Sequence, residues 1–261
     1  MIRSLLATRF AAAVAVSGLI FVASLATHAN AAEVKLLAPV SLRALLPEVL
    51  SQFEKSSGHK VTVEYATLGA ITDRVAKGDT ADVAMVSPEQ NDDLQKQGKL
   101  LTGSRTEIAR VGYVVFTKKG APKPDVGSIE GLAGTLVAAK SIVLGDPAAG
   151  GGAGVFSAGL MDRLGLATEI KPRTKLVTSG TEVAEAVSKG EIELGIGVAS
   201  DAAIVSGLDA YPLPTGAQSY SVYVAGVTSV SKQGDAAKAL IAFLTSPTVK
   251  QALNAKGFET P

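Results

Sequence analysis

Residues 142–164, IVLGDPAAGGGAGVFSAGLMDRL, decide the fold. Ile142–Leu144 is a short apolar run of strand type, and Asp146–Gly154 is a turn-rich loop. Val155–Leu164 then reads as a helix stopped by Gly165. Working outward, the same unit recurs. Towards the N-terminus, Val34–Leu37 predicts a buried strand. Leu42, Leu45, Leu46, Val49, Leu50 and Phe53 follow at helical spacing, with Ser41 as the expected N-cap and Gly58 as the stop. Pro47 removes an intrahelical donor, so it should bend or delay that helix. Lys60–Tyr65 and Val83–Val86 predict further strands, and Ala70–Lys77 and Pro88–Gln97 the helices after them. Towards the C-terminus, Lys175–Val177, Glu182–Lys189 and Leu194–Val198 read strand, helix, strand. Asp235–Leu244 and Thr248–Asn254 predict closing helices. Two longer strand-like runs, Ala109–Thr117 and Tyr220–Val227, stand apart from the short ones.

Alternation of this kind predicts an α/β fold with mostly parallel sheets. Ligands in such sheets sit beyond the carboxyl ends of the strands, where helices begin. The loops so placed are Ala38–Ser41, Thr67–Ala70, Ser87-Pro88, Asp146–Gly154, Thr178–Thr181 and Val198–Asp201. They are short, small or polar, and nearly free of charge.

The loop Gly150-Gly151-Gly152-Ala153-Gly154 opens a helix after a strand. Its glycines let backbone approach a ligand, and the first helical N–H groups point at it, so an anion is the natural occupant. A plain turn is the competing reading. A dinucleotide fingerprint fails because Ser157 stands where the third glycine belongs, and a P-loop fails because no Lys follows before Lys171. Ser41 and Thr178-Ser179-Gly180-Thr181 also open helices, where a routine cap competes with a ligand contact.

Composition narrows the class. Arg3, Arg9, the apolar run Ala11–Leu25 and the small-x-small site Ala29-Asn30-Ala31 read as a secretory signal cleaved before Ala32. The apolar run is short for a membrane span. Removing those 31 residues from 261 leaves 230. The chain holds 25 Lys and Arg against 24 Asp and Glu, and the leader takes two Arg and no acid, so the mature net charge is −1. No bulk electrostatic case exists for nucleic acid or an anionic membrane. Absence of Cys removes thiol nucleophiles and Cys-based metal sites. Of the two His, His28 lies in the leader and His59 in a turn, read as solvated. Ser157 sits one residue out of register for a nucleophile elbow, and Ser57-Gly58-His59-Lys60 matches S-x-x-K without its partner motifs. Asp146 and Asp201 read as capping residues. A binding protein is expected, not an enzyme; a secreted hydrolase is the rival.

The ligand loops carry a family pattern: Ala38–Leu42, Ala81-Asp82-Val83 with Ser87, Gly145-Asp146-Pro147 with Ala153-Gly154, Leu194-Gly195-Ile196 with Ser200-Asp201-Ala202, Leu244–Pro247 and Gly257-Phe258. In this order and spacing the chain resembles the molybdate-type substrate-binding proteins of ABC importers, over nearly all of its mature length. The resemblance implies a type II periplasmic binding fold: two α/β lobes, each a mostly parallel sheet flanked by helices, joined by two crossing strands. It places 32–112 with 226–261 in lobe one and 113–225 in lobe two, Ala109–Thr117 and Tyr220–Val227 being the crossings. It further implies a periplasmic location, a monomer, no cofactor or metal, a membrane permease with an ATPase as partner, and a small anion closed into the cleft.

In that family two Ser, main-chain N–H groups and often a Tyr hydroxyl hold an oxyanion. Here Ser41 matches the first Ser. Leu68 stands where the second is expected, with Thr67 beside it as substitute. Ala153 and Gly180 fall at main-chain donor positions, Gly69 supplies a further N–H, and Val198 occupies the Tyr position. The loop before Ala153 is longer by one residue. Two hydroxyl donors replaced by aliphatic groups favour a ligand with an anionic end and an apolar body, a small organic carboxylate. Molybdate or tungstate is the alternative.

Overall fold

Short apolar strands, each running into a helix, build the molecule. The computed structural model describes residues 31–149 and 151–261. The leader and Gly150 lie outside the described residues, and with them the export signal.

In chain order the strands are β1 (Glu33–Pro39), β2 (Lys60–Ala66), β3 (Val83–Val86), β4 (Thr106–Lys118), β5 (Ile142–Gly145), β6 (Thr174–Val177), β7 (Leu194–Val198), β8 (Leu208–Pro212) and β9 (Tyr220–Val227). The helices are α1 (Leu46–Ser57), α2 (Leu68–Ala76), α3 (Pro88–Lys96), α4 (Ile129–Ala138), α5 (Gly152–Arg163), α6 (Ala167–Ile170), α7 (Gly180–Lys189), α8 (Asp201–Ile204), α9 (Gly234–Leu244) and α10 (Pro247–Ala255).

β1 pairs in parallel with β2 and β3, and β9 closes that sheet antiparallel to β3. β5 pairs in parallel with β6 and β7 in the second sheet. The 13-residue β4 belongs to both sheets. Its first half, Thr106–Gly112, pairs with β9, while Tyr113–Lys118 pairs with β7 and β8. The chain returns from β8 to β9 through 213–219. Two crossings therefore join two α/β lobes, as in a type II periplasmic binding protein.

The central parallel strands carry helices on both faces and read as continuous apolar runs. Every residue of β3, β5 and β7 is buried. Separate apolar clusters sit under the helices of each lobe: Leu37, Ile71, Val75 and Leu94 in one, Phe116, Val143, Val183 and Val187 in the other. Each such buried side chain is worth about 1.5–3 kcal/mol.

Two local expectations change. The helix expected from Leu42 begins at Leu46, after a 3-10 turn over Val40–Leu42. Pro47 is the cause, because a residue without an N–H is accommodated only in the first turn. Ser41 consequently caps nothing and projects elsewhere. β8 carries no clear sequence signal: it is a five-residue, half-exposed strand ending in Pro212 and paired on one side to β4.

Candidate functional site

A cavity of about 90 Å³ opens where the carboxyl ends of strands from both lobes converge. Ser41, Thr67 and Leu68 line it from one lobe, and Ala153, Gly180 and Val198 from the other. Of the expected site residues only Gly69 is absent from its walls. His59 is remote; its Nδ1 accepts a hydrogen bond from the Ala32 N–H at 3.2 Å. Ser157 is fully buried on α5 and does not reach the cavity.

Main-chain donors come from the starts of α5 and α7. The N–H groups of Gly152, Ala153, Gly180 and Thr181 have no intrahelical carbonyl to bond, being first-turn residues. Close packing sets the position of α5. A β-carbon on Gly154 would stand 2.7 Å from the Asp146 carbonyl oxygen, and one on Gly145 would stand 3.0 Å from the Gly154 main chain. Only glycine permits this approach. At α7, Ser179 is the N-cap, accepting from the Glu182 N–H at 3.3 Å. Glu182 in turn accepts from the hydroxyls of Thr178 and Ser179, and these bonds hold its carboxyl below the usual range.

Side-chain donors are arranged differently from the expectation. Thr67 is the N-cap of α2, accepting from the Ala70 N–H, and its own hydroxyl donates across the cleft to the Ala149 carbonyl at 3.3 Å. A hydroxyl has one proton, so in this state Thr67 ties the lobes together. Ser41 donates to the Tyr223 hydroxyl at 3.0 Å. Ser221 lies beside both the Tyr223 and the Tyr113 hydroxyls. Burial pushes both phenols upward, so both stay protonated and able to donate. The Tyr113 ring stacks on Phe156, with centroids 3.7 Å apart and planes within 4°. Tyr223 on β9 thus puts a phenol on the cavity wall, which Val198 does not, while Tyr113 on β4 stands beside Gly152. Sequence reading concentrated on loops and missed them, although both lie in the two long strand runs.

Asp201 was also missed as a site residue. It lies at the start of α8, but its carboxylate does not cap that helix; it accepts from the Val198 N–H at 3.4 Å and lines the cavity. The capping expectation is corrected, because Asp201 is the first residue inside α8, Ser200 holds the cap position, and the carboxylate accepts from Val198 instead. Burial lifts this carboxyl to about 7. Asp146, by contrast, does accept locally, from the Ala148 N–H at 2.9 Å, while also lining the cavity.

Among the described residues no Lys, Arg or His lines this cavity. No cluster of three metal-ligating side chains occurs among the described residues, and no described helix is long and apolar enough to cross a membrane. Each lobe adds one aliphatic side chain to the lining: Leu68 and Val198 are 9% and 5% exposed.

A cleft of neutral donors between two α/β lobes defines a solute-capturing protein. The chain belongs to the bacterial extracellular solute-binding protein family, whose model matches residues 34–259. It is 28% identical over 218 residues to an aconitate isomerase from a Pseudomonas species, covering 81% of this chain and 82% of that protein. It is 27% identical over 241 residues to the molybdate-binding protein ModA of Azotobacter vinelandii, covering 90% and 92%. The solved periplasmic molybdate-binding protein of Azotobacter vinelandii superposes with a TM-score of 0.72 at 20% identity, over 87% of this chain and 99% of that one. The chain is therefore ModA-like in sequence and fold, as its loops implied.

Proposed function

We propose that this chain is the extracytoplasmic capture component of an ABC importer and that its ligand is a small organic carboxylate. The observation that carries the ligand class is the mixed lining of the cavity. Ser41, Tyr223, Ser221 and the α5 and α7 N–H groups bring donors to it, and Leu68 from one lobe and Val198 from the other bring aliphatic side chains. An oxyanion buried whole needs a donor for each oxygen, since unserved charge costs several kcal/mol. A carboxylate with an apolar body instead matches a lining that mixes donors with aliphatic groups. By the measure at which one water needs about 10–15 Å³, the cavity takes roughly six to nine water-sized occupants, enough for a small acid. The relative named for an isomerase of aconitate supports an organic acid; the molybdate-binding relative supports the second reading, molybdate or tungstate on the same main-chain donors.

Closure would pivot on β4 between Gly112 and Tyr113, where its pairing changes sheet, and on 213–219. On this reading residues from Tyr220 onward, whose strand pairs with β3 and the first half of β4, move with the first lobe, so that lobe two is shorter than 113–225. A membrane permease is the expected partner, and a monomer the expected state.

Calorimetry of the ligand-free protein against trans-aconitate, cis-aconitate, malate, molybdate, tungstate and sulfate tests the assignment. Micromolar binding of a carboxylate with weak or no molybdate binding is expected. Tighter binding of molybdate overturns the carboxylate assignment. Proton NMR of the same acids with protein added shows whether any is converted, which would move the chain from carrier to catalyst.

A further inference from the structure

The anion site proposed above contains carboxyl groups and no cation. Asp201 is 2% exposed, lines the cavity wall, and has a single N–H partner at 3.4 Å. Space for it is made by glycine: a β-carbon on Gly180 would collide with the Asp201 carboxylate, and one on Gly197 would stand 3.2 Å from its Oδ2. Gly180 also opens α7, so the carboxyl group sits beside the main-chain donors that face the ligand.

The groups around Asp201 are acidic or neutral. β9 presents Tyr223, whose phenol is raised by burial and further by the Asp201 charge. Asp146, in the loop after β5, shares the cavity lining with Asp201, and α7 carries Glu182 behind Thr178 and Ser179. Among the described residues no cation lines the cavity: Arg43 lies over the Tyr65 ring and Arg163 over Phe156. An ionised Asp201 beside a bound anion in this dry pocket would be a like-charge pair with no counterion.

We propose that Asp201 is the proton-carrying donor of the site: one proton is shared between its carboxyl group and the ligand anion, so that capture of a carboxylate takes up a proton. Protonated, Asp201 turns from an acceptor that repels the ligand into an O–H donor beside Gly180. Burial already holds the carboxyl near neutrality before any ligand enters. Carboxylate ligands, with reference values near 4, stay ionised across the same range. The site therefore selects acids that still carry a charge at neutral pH and releases them as pH rises. This rests on the carboxylate reading above.

Calorimetry with trans-aconitate and molybdate as probes, at pH 6 to 9 and in two buffers of different ionisation enthalpy, tests it. Expected at pH 8 is an uptake approaching one proton per ligand bound, with affinity falling about tenfold per pH unit above about 7. Asp201→Asn keeps the size and supplies an amide donor; it should bind with no proton uptake and a flat profile. Asp146→Asn, whatever its effect on the affinity itself, should keep the uptake of one proton and the pH slope. Wild-type binding without proton uptake overturns the proposal and leaves the ligand reading intact. So does a wild-type slope in Asp201→Asn, or loss of uptake in Asp146→Asn, which would assign the proton to Asp146. If Asp201→Asn does not fold, wild type and Asp146→Asn decide between them. No binding of either probe at any pH overturns the ligand reading and the proposal with it.

Discussion

Gly154→Ala tests whether the anion loop is held by backbone contact. The new methyl carbon would stand 2.7 Å from the Asp146 carbonyl oxygen, 2.8 Å from its carbon and 3.0 Å from the Gly145 carbonyl carbon. All three are main-chain atoms of β5 and its loop, so no side chain can rotate away. The start of α5 must move outward by a few tenths of an ångström, carrying the Gly152 and Ala153 N–H groups with it. Overpacking of this kind costs about 1–3 kcal/mol. For a chain of this size each kcal/mol shifts the melting temperature by about 2–4 °C, so a drop of roughly 2–12 °C is expected, with weaker ligand binding. Gly159→Ala is the internal control. It lies on the same helix with nothing nearer than the Arg163 Nη1 at 3.8 Å. It should gain about 0.5–1 kcal/mol from reduced unfolded-state freedom. Differential scanning calorimetry of both variants reads the contrast. A Gly154→Ala protein that melts at or above wild type would refute the close-approach account.

Burial lifts the Asp201 carboxyl from 3.8 to about 7, so the folded chain holds this proton at pH values where the unfolded chain has lost it. The stability it contributes is full below about pH 4 and is lost as pH rises to about 7. Relative to wild type, ligand-free Asp201→Asn should therefore gain up to about 4 kcal/mol between pH 4 and 8, and parallel melting curves over that range would contradict this. Tyr223→Phe deletes the acceptor of the Ser41 hydroxyl and should cost about 0.5–1.5 kcal/mol in urea denaturation, with weaker ligand binding. Leu68→Ser restores a hydroxyl to the cavity wall and should raise molybdate affinity about tenfold while lowering that for the organic acid; unchanged selectivity in calorimetry would show that Leu68 does not face the ligand.

Periodicity alone determined the order of the main strands and helices, with β8 and the one-turn α6 outside its reach, because the apolar spacing of each βα unit is a local property. Tyr220–Val227 is β9 residue for residue, and Gly151 and Gly152 do open α5. Five of the six ligand loops contribute to one cavity, since parallel strands must deliver their carboxyl ends to the same side. The chemistry of that cavity was a tertiary decision. Ser41 was read both as a cap and as a ligand donor, and only the delayed start of α1 freed it to meet Tyr223, 182 residues away. Thr67 was read as a ligand donor, and its proton goes to Ala149 once the two lobes meet. Asp201 looks like any helix-start aspartate in sequence. Its burial, its two flanking glycines and the lack of a cation come from segments far apart in the chain, and no local pattern encodes a desolvation that only packing creates.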